Sequence, residues 1–281
     1  MDQKIIKLFD GFTHGGMSRR EFMDKLTVLV GGSAAALTIL PLLENNYAKA
    51  DILPEGDPRI TTSDFKIDGG VGYLVQPKAE GKYPGVLVIH ENRGLNPHIK
   101  DVTRRIAAEG FVALAPDYLS GLGGTPADAD KAKEMIGTLP PEGIIGTSKA
   151  SLAALKVMPG TNGKSGAMGF CWGGGAVNNL AVNDATLSAG VAYYGSQAKA
   201  EDVAKITAPL MLHYASLDDR INAGIPAFEE ALKAAKKTFE LFKYEGVNHA
   251  FNNDTNEARY NKEAADLAWA RTVVFLKKYT A

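Results

Sequence analysis

Two rhythms of apolar and polar positions run through the chain. Val86-Leu87-Val88-Ile89 is an unbroken apolar run, set off by Tyr83-Pro84-Gly85 before it and by His90-Glu91-Asn92-Arg93-Gly94 after it. Too short for a helix, such a run predicts a strand covered on both faces, as strands of parallel sheets are. Similar runs predict strands at 111–115, 164–170, 187–194, 209–214 and 238–244. Near the start, 65–67 and 71–76 flank Gly69-Gly70 and predict a hairpin. Between these runs the period lengthens to that of a helix. Ile99, Val102, Ile106 and Ala107 share one face of a helix over 97–109 that Gly110 closes. Helices are also expected over 127–137 and 144–158, separated by Pro140-Pro141, and over 173–182, 226–237 and 257–279. In the last of these Ala264, Leu267, Ala268, Arg271, Val274 and Phe275 recur at helical spacing. Strands alternating with helices predict an α/β fold: one domain over 65–281, with a largely parallel sheet and helices on both faces. Residues 51–64, polar and rich in Pro and Gly, are expected to lie over its surface as a leader.

The first fifty residues follow a different pattern. Ser18-Arg19-Arg20-Glu21-Phe22-Met23 precedes an apolar, Gly- and Ala-rich run over 26–43, and Ala48-Lys49-Ala50 follows. A basic region, an apolar region and a small-x-small site make the order of an export signal. The paired arginines resemble the twin-arginine motif, and Pro41 breaks the run before it reaches the length of a stable span. The expectation is therefore recognition by twin-arginine export machinery, cleavage after Ala50, a periplasmic mature chain and no stable membrane insertion after cleavage.

Composition narrows the chemistry. The 281 residues carry a net charge of −1 with acids and bases interspersed, so nothing global recruits nucleic acid. The one cysteine excludes an intrachain disulfide and a multi-cysteine metal site. That cysteine, Cys171, stands where the strand over 164–170 meets Trp172-Gly173-Gly174. Strand, sharp small-residue turn and helix are the parts of a nucleophile elbow, here with a thiol in place of the usual serine.

Two further stretches lie just after strands: Ser216-Leu217-Asp218-Asp219-Arg220 and Gly246-Val247-Asn248-His249-Ala250-Phe251. Nucleophile, acid, histidine is the chain order of α/β-hydrolases. An imidazole at His249 can exchange a proton with sulfur or leaving oxygen near neutral pH, and an acid behind it holds the tautomer and stabilises the imidazolium. Asp218 is preferred for that acid over Asp219. No histidine pair has the H-E-x-x-H spacing of a zinc protease, and Gly173-Gly174-Gly175 does not continue as a dinucleotide fingerprint, so no metal and no cofactor are expected.

Over roughly 72–279 the sequence resembles the dienelactone hydrolase family of α/β-hydrolases. The resemblance rests on His90-Glu91-x-x-Gly94, Ala115-Pro116-Asp117, Gly169-Phe170-Cys171-Trp172-Gly173-Gly174, the Asp218 segment and Asn248-His249-Ala250-Phe251. It implies that Glu91 lies beside the thiol and helps to take its proton, and that the backbone amides of Asn92 and Trp172 hold the oxyanion. The family's best known members bind a substrate carboxylate with two arginines; those places here read Ser120-Gly121 and Asn253. The reaction type is therefore carried over without the substrate: hydrolysis of small esters or lactones through a thiol acyl-enzyme. Tyr118, Trp172, Tyr194 and Arg93 are the expected substrate contacts. Two other classes share the exposed thiol or the fold, a peroxide-responsive redox protein and a non-catalytic binding protein.

Overall fold

The computed structural model describes residues 1–281. Eight strands form one sheet: β1 (Ile60–Ile67), β2 (Gly70–Pro77), β3 (Tyr83–Ile89), β4 (Val112–Pro116), β5 (Thr161–Phe170), β6 (Gly190–Tyr193), β7 (Leu210–Ala215) and β8 (Phe239–Tyr244). Their spatial order is β1-β2-β4-β3-β5-β6-β7-β8. The first two strands run antiparallel and the other six are mutually parallel. This is the largely parallel α/β sheet that the apolar runs predicted. In β3, Val86 and Val88 enter one core while Leu87 and Ile89 enter the other, so a continuous apolar run is what the strand needs.

Ten helices accompany the sheet: α1 (Gln3–His14), α2 (Arg19–Val30), α3 (Ser33–Leu43), α4 (Pro97–Ala108), α5 (Ala129–Gly137), α6 (Pro141–Val157), α7 (Trp172–Asn183), α8 (Asp219–Asn222), α9 (Ile225–Ala234) and α10 (Lys262–Thr280). One core joins the sheet to α4 through Ile99, Val102 and Ile106 and to α10 through Ala264, Ala268 and Phe275. The opposite core joins it to α6, α7 and α9 through Leu155, Val177 and Phe228. In α10 the buried stripe runs Ala264, Ala268, Thr272, Phe275 and Leu276, whereas Leu267 and Val274, expected on that face, lie 46% and 68% exposed. Spacings of three and four from Ala264 mark two adjacent stripes, and only one of them meets the sheet.

β1 begins at Ile60, five residues ahead of the expected start. It is an edge strand whose ends alone are buried, so its polar composition hides it and backbone pairing to β2 defines it.

Residues 1–50, set apart in the sequence as an export signal, form α1, α2 and α3 and a short 3-10 turn that pack on the α/β body. Phe9, Phe12, Phe22, Leu26 and Leu43 make a small core of their own. Phe12 and Phe22 stack with ring centroids 4.8 Å apart. Gly31, with φ +82°, ends α2 and turns the chain into α3. No single helix is long and apolar enough to cross a membrane, and α2 and α3 meet that measure only as a pair bent by 114°.

Candidate active site

Every loop that carries candidate chemistry leaves the carboxyl end of a parallel strand. β5 delivers Cys171, β3 delivers Glu91 and Asn92, β7 delivers Asp218 and β8 delivers His249. Ligand sites in open α/β sheets lie in this crevice.

Cys171 has φ 55° and ψ −114°, a left-handed backbone conformation that costs a non-glycine residue about 1–3 kcal/mol. Close backbone contact on both sides sustains it. A Cβ on Gly169 would lie 2.2 Å from the carbonyl oxygen of Gly173, and one on Gly173 would lie 2.4 Å from that of Ile89. Small residues are thus required for the strand to turn this tightly into α7, and the turn raises the sulfur above the sheet.

Behind the thiol, His249 is buried and its Nδ1 lies 2.5 Å from Asp218 Oδ2. Asp218 also caps α8, accepting from the Ile221 amide at 3.3 Å, so one carboxylate is held by the helix and by the imidazole. Asp219 points away: its side chain is 78% exposed and pairs with Lys7. Burial holds the Asp218 carboxyl back, but the His249 contact outweighs it and lowers its pKa below the usual carboxylate value. Burial likewise opposes charge on His249; the neighbouring Cys171 sulfur and Asp218 overcome it and push the imidazole up to about 10. Its Nε2 has no hydrogen-bond partner and faces the sulfur across less than 4.8 Å.

Glu91 is buried beside this group. Its Oε2 accepts from Asn253 Nδ2 at 2.8 Å and its Oε1 has no partner. Arg93 pairs with Asp130 and not with Glu91. Asn253, at one of the family's arginine places, is therefore committed to Glu91. Asn92 and Trp172 both line the space beside Cys171.

Of the expected substrate contacts, Arg93 lines a cavity of about 420 Å³ at the thiol, and Trp172 and Tyr194 line a second of about 380 Å³. Tyr118 lines neither. Its hydroxyl is 2.7 Å from Ser148 and its ring packs edge-on against Trp172 and His90, so it supports the wall from behind. His213 sits in the core on β7, where burial depresses its pKa to about 3.

The residue that the sequence did not offer is His14. Its Nε2 lies 3.2 Å from Cys171 Sγ and its ring meets that of His249 at 4.5 Å between centroids. Loss of surrounding water and the charges of His249, Arg220 and Arg259 hold its pKa well below the ordinary histidine value. α1 reaches the sulfur because it is tied to the surrounding loops. Gln3 donates to Asn248, Lys7 to Asp219, Arg259 to Asp10, Asn92 to the Thr13 carbonyl and Lys133 to that of Phe12. Thr13 and His14 line both cavities and so stand between them at Cys171. Arg19 and Arg259 also line the larger one, each paired to a carboxylate. No local spacing could have flagged these residues, because helix docking alone brings them to the site.

Comparison with known proteins bears on the family and the fold. The dienelactone hydrolase family model matches residues 71–280, and a second model, described as YqhI-like, matches residues 1–31. A provisionally named carboxymethylenebutenolidase of Saccharolobus solfataricus is 32% identical over 229 residues, covering 69% of this chain and 88% of its own. One of Methylorubrum extorquens, also provisionally named, is 29% identical over 278 residues, covering 94% of both chains and hence most of the N-terminal helices. Among solved structures, a provisionally named dienelactone hydrolase from Klebsiella pneumoniae superposes with a TM-score of 0.70 at 27% identity, covering 78% of this chain and 99% of its own.

Proposed function

The chain belongs to the dienelactone hydrolase family, and from that premise we propose that it hydrolyses small esters or lactones through a covalent thioester on Cys171. The observation that carries this reading is the 2.5 Å contact of Asp218 with His249, which backs an imidazole whose free Nε2 faces a thiol on a strained elbow. Substrate reaches the sulfur along one of the two cavities. The thiolate adds to the carbonyl carbon, and the oxygen gains charge where the amides of Trp172 and Asn92 can donate to it. His249, charged and held by Asp218, gives its proton to the departing alcohol as the tetrahedral intermediate collapses to the thioester. The neutral imidazole then takes a proton from water, which attacks the thioester, and the thiol is restored with release of the acid. Glu91, with one oxygen unpartnered, is placed to take the thiol proton when substrate enters and to return it as the thioester is cleaved. Arg93, Trp172 and Tyr194 bound the substrate in this reading.

Intact-mass measurement after brief exposure to an activated ester tests it. A transient acyl adduct is expected on the wild type, none on Cys171→Ala, and greatly slowed turnover for His249→Ala. Ester turnover unchanged in His249→Ala, with Cys171 still modified by peroxide, would favour thiol redox chemistry instead.

For residues 1–50 we propose recognition by the twin-arginine export route, on the strength of Ser18-Arg19-Arg20-Glu21-Phe22. Arg20 is exposed at the start of α2, while Arg19 pairs with Glu44 and Asp130. Because α1 occupies the site, cleavage after Ala50 would take His14 off the sulfur. N-terminal sequencing of the protein from periplasmic and cytoplasmic fractions tests this. Asp51 as the first residue of a periplasmic species is the expected result, and an intact chain confined to the cytoplasm would refute export.

A further inference from the structure

From the junction of α1 with the elbow we infer that the full chain binds one thiophilic divalent cation, of which zinc is the type, through His14 Nε2, Cys171 Sγ and His249 Nε2. Cys171 Sγ and one ring nitrogen from each histidine lie within 4.8 Å of one another, and His14 Nε2 is 3.2 Å from the sulfur. A tetrahedral zinc with bonds of about 2.3 Å to sulfur and about 2.0 Å to nitrogen holds such ligand atoms about 3.5 Å apart, so side-chain adjustment of no more than about 1.3 Å completes the set.

The lone pairs also point the right way. His249 Nδ1 is committed to Asp218 Oδ2, which leaves Nε2 as the ligand atom, and that atom is buried without a partner. His14 Nδ1 lies 3.2 Å from the Asp10 carbonyl oxygen, an acceptor only, and 2.8 Å from Thr13 Oγ1, so its proton belongs on Nδ1 and its Nε2 lone pair faces the sulfur. One histidine backed by a carboxylate and one by a backbone carbonyl are the supports that metal-bound imidazoles need to fix tautomer and orientation. The two cavities that meet at Cys171 leave room for water as a fourth ligand. Chain distance explains why the sequence pointed to no metal: residues 14, 171 and 249 have no local spacing, and His14 lay in a segment read as an export signal.

Binding balances by proton release. The metal–sulfur bond forms as the thiol proton leaves for solvent, and the metal–nitrogen bond to His249 forms as the imidazolium proton leaves, so affinity rises with pH. The same bonds take the nucleophile and the proton carrier away from ester chemistry, a consequence that rests on the hydrolase reading; the binding itself does not.

The test titrates zinc chloride into the reduced full-length protein against a chromophoric chelator, with cobalt chloride in parallel. The expected result is one zinc per chain, a tetrahedral cobalt spectrum with a sulfur-to-metal charge-transfer band that Cys171→Ser removes, and at least a hundredfold loss of zinc affinity in His14→Ala. Because His14→Ala could simply loosen α1, His14→Cys is measured beside it: a soft ligand restored at that position should recover affinity to within about tenfold of wild type, which a purely structural role would not produce. Wild-type affinity in His14→Ala, failure of His14→Cys to recover binding, or a cobalt spectrum without the thiolate band would each overturn the site. If binding holds while zinc leaves ester turnover untouched, the reading of Cys171 as the nucleophile fails and the metal site stands.

Discussion

Asp218 and Asp219 are adjacent in sequence and opposite in environment, which makes them a sharp test of the site. Asp218→Asn keeps the shape and removes the charge 2.5 Å from His249 Nδ1. With charge centres about 4 Å apart and an effective dielectric constant near 20, the lost attraction for an imidazolium is about 4 kcal/mol, which is about a thousandfold in rate where that cation forms. An Asn amide group turned towards Nδ1 would also favour the wrong tautomer, putting the proton on Nε2 where the lone pair is needed. Asp219→Asn removes one partner of a pair with Lys7 whose side chains are 78% and 56% exposed, worth at most about 1 kcal/mol, with no path to the imidazole. The assay is kcat/KM for an activated aryl ester, with the acylation phase resolved by stopped flow. Asp218→Asn is expected to slow acylation by two to four decades and Asp219→Asn by less than threefold. Equal losses in the two variants, or full activity in Asp218→Asn, would refute the assignment of Asp218 and the electrostatic argument for it.

Three more outcomes follow from contacts elsewhere. Gly173→Ala sets a methyl 2.4 Å and 2.5 Å from the carbonyl oxygens of Ile89 and His90, backbone atoms that cannot rotate away; a loss of about 3 kcal/mol in urea unfolding is expected, with a lower Tm. Phe22→Ala removes a fully buried ring stacked on Phe12 at 4.8 Å, costing the N-terminal cluster about 3–5 kcal/mol; α1 should undock more often, and alkylation of Cys171 by iodoacetamide should speed by at least tenfold. His213, held neutral with its pKa near 3, binds a proton in the unfolded chain before the folded one, so its contribution to stability is present above pH 6.5 and is lost as pH falls from 6.5 towards 3. In that window His213→Phe should flatten the plot of unfolding free energy against pH by about 1.4 kcal/mol per pH unit, while His14 and His90, shifted the same way, keep some acid sensitivity in the variant.

The legibility of this molecule follows the range of the interactions that build each part. Val86 to Ile89 declared a parallel strand because covering both faces of a strand requires an apolar residue at every position, a local property. The elbow was equally local, since three glycines must stand where backbone passes within van der Waals contact of backbone. Asp218 and His249 were found by chain order, which works because each strand of a parallel sheet delivers its loop to the same edge. Legibility fell where a residue's role depends on a partner far along the chain. Tyr118 looked like a cavity wall because its loop leaves the right edge, yet the Ser148 hydroxyl draws it into the core. Arg259 and His14 carried no signal, because nothing near them in sequence records which helix docks beside which loop.

The N-terminal helices sharpen what the elbow alone could not decide, which is how its thiol is guarded. A strained cysteine on a sharp turn above a sheet is open to oxidation as well as to substrate. In this chain α1 lies over it, fastened at Asn248, Asp219, Asn92 and Arg259, the first three of them next to His249, Asp218 and Glu91. Those fastenings are polar; the Lys7–Asp219 pair is exposed and the others are partly buried, so the helix is held by their number and by the small aromatic cluster behind it. A cover assembled in this way can open without unfolding the α/β body, since few of that body's apolar contacts run through it. His14 then reports the state of the cover directly, lying on the sulfur when α1 is docked and leaving it when α1 departs. The rate of thiol alkylation, measured against urea concentrations too low to unfold the sheet, should rise well before the circular dichroism of the sheet changes. Coincident transitions would instead make residues 1–50 an inseparable part of the domain.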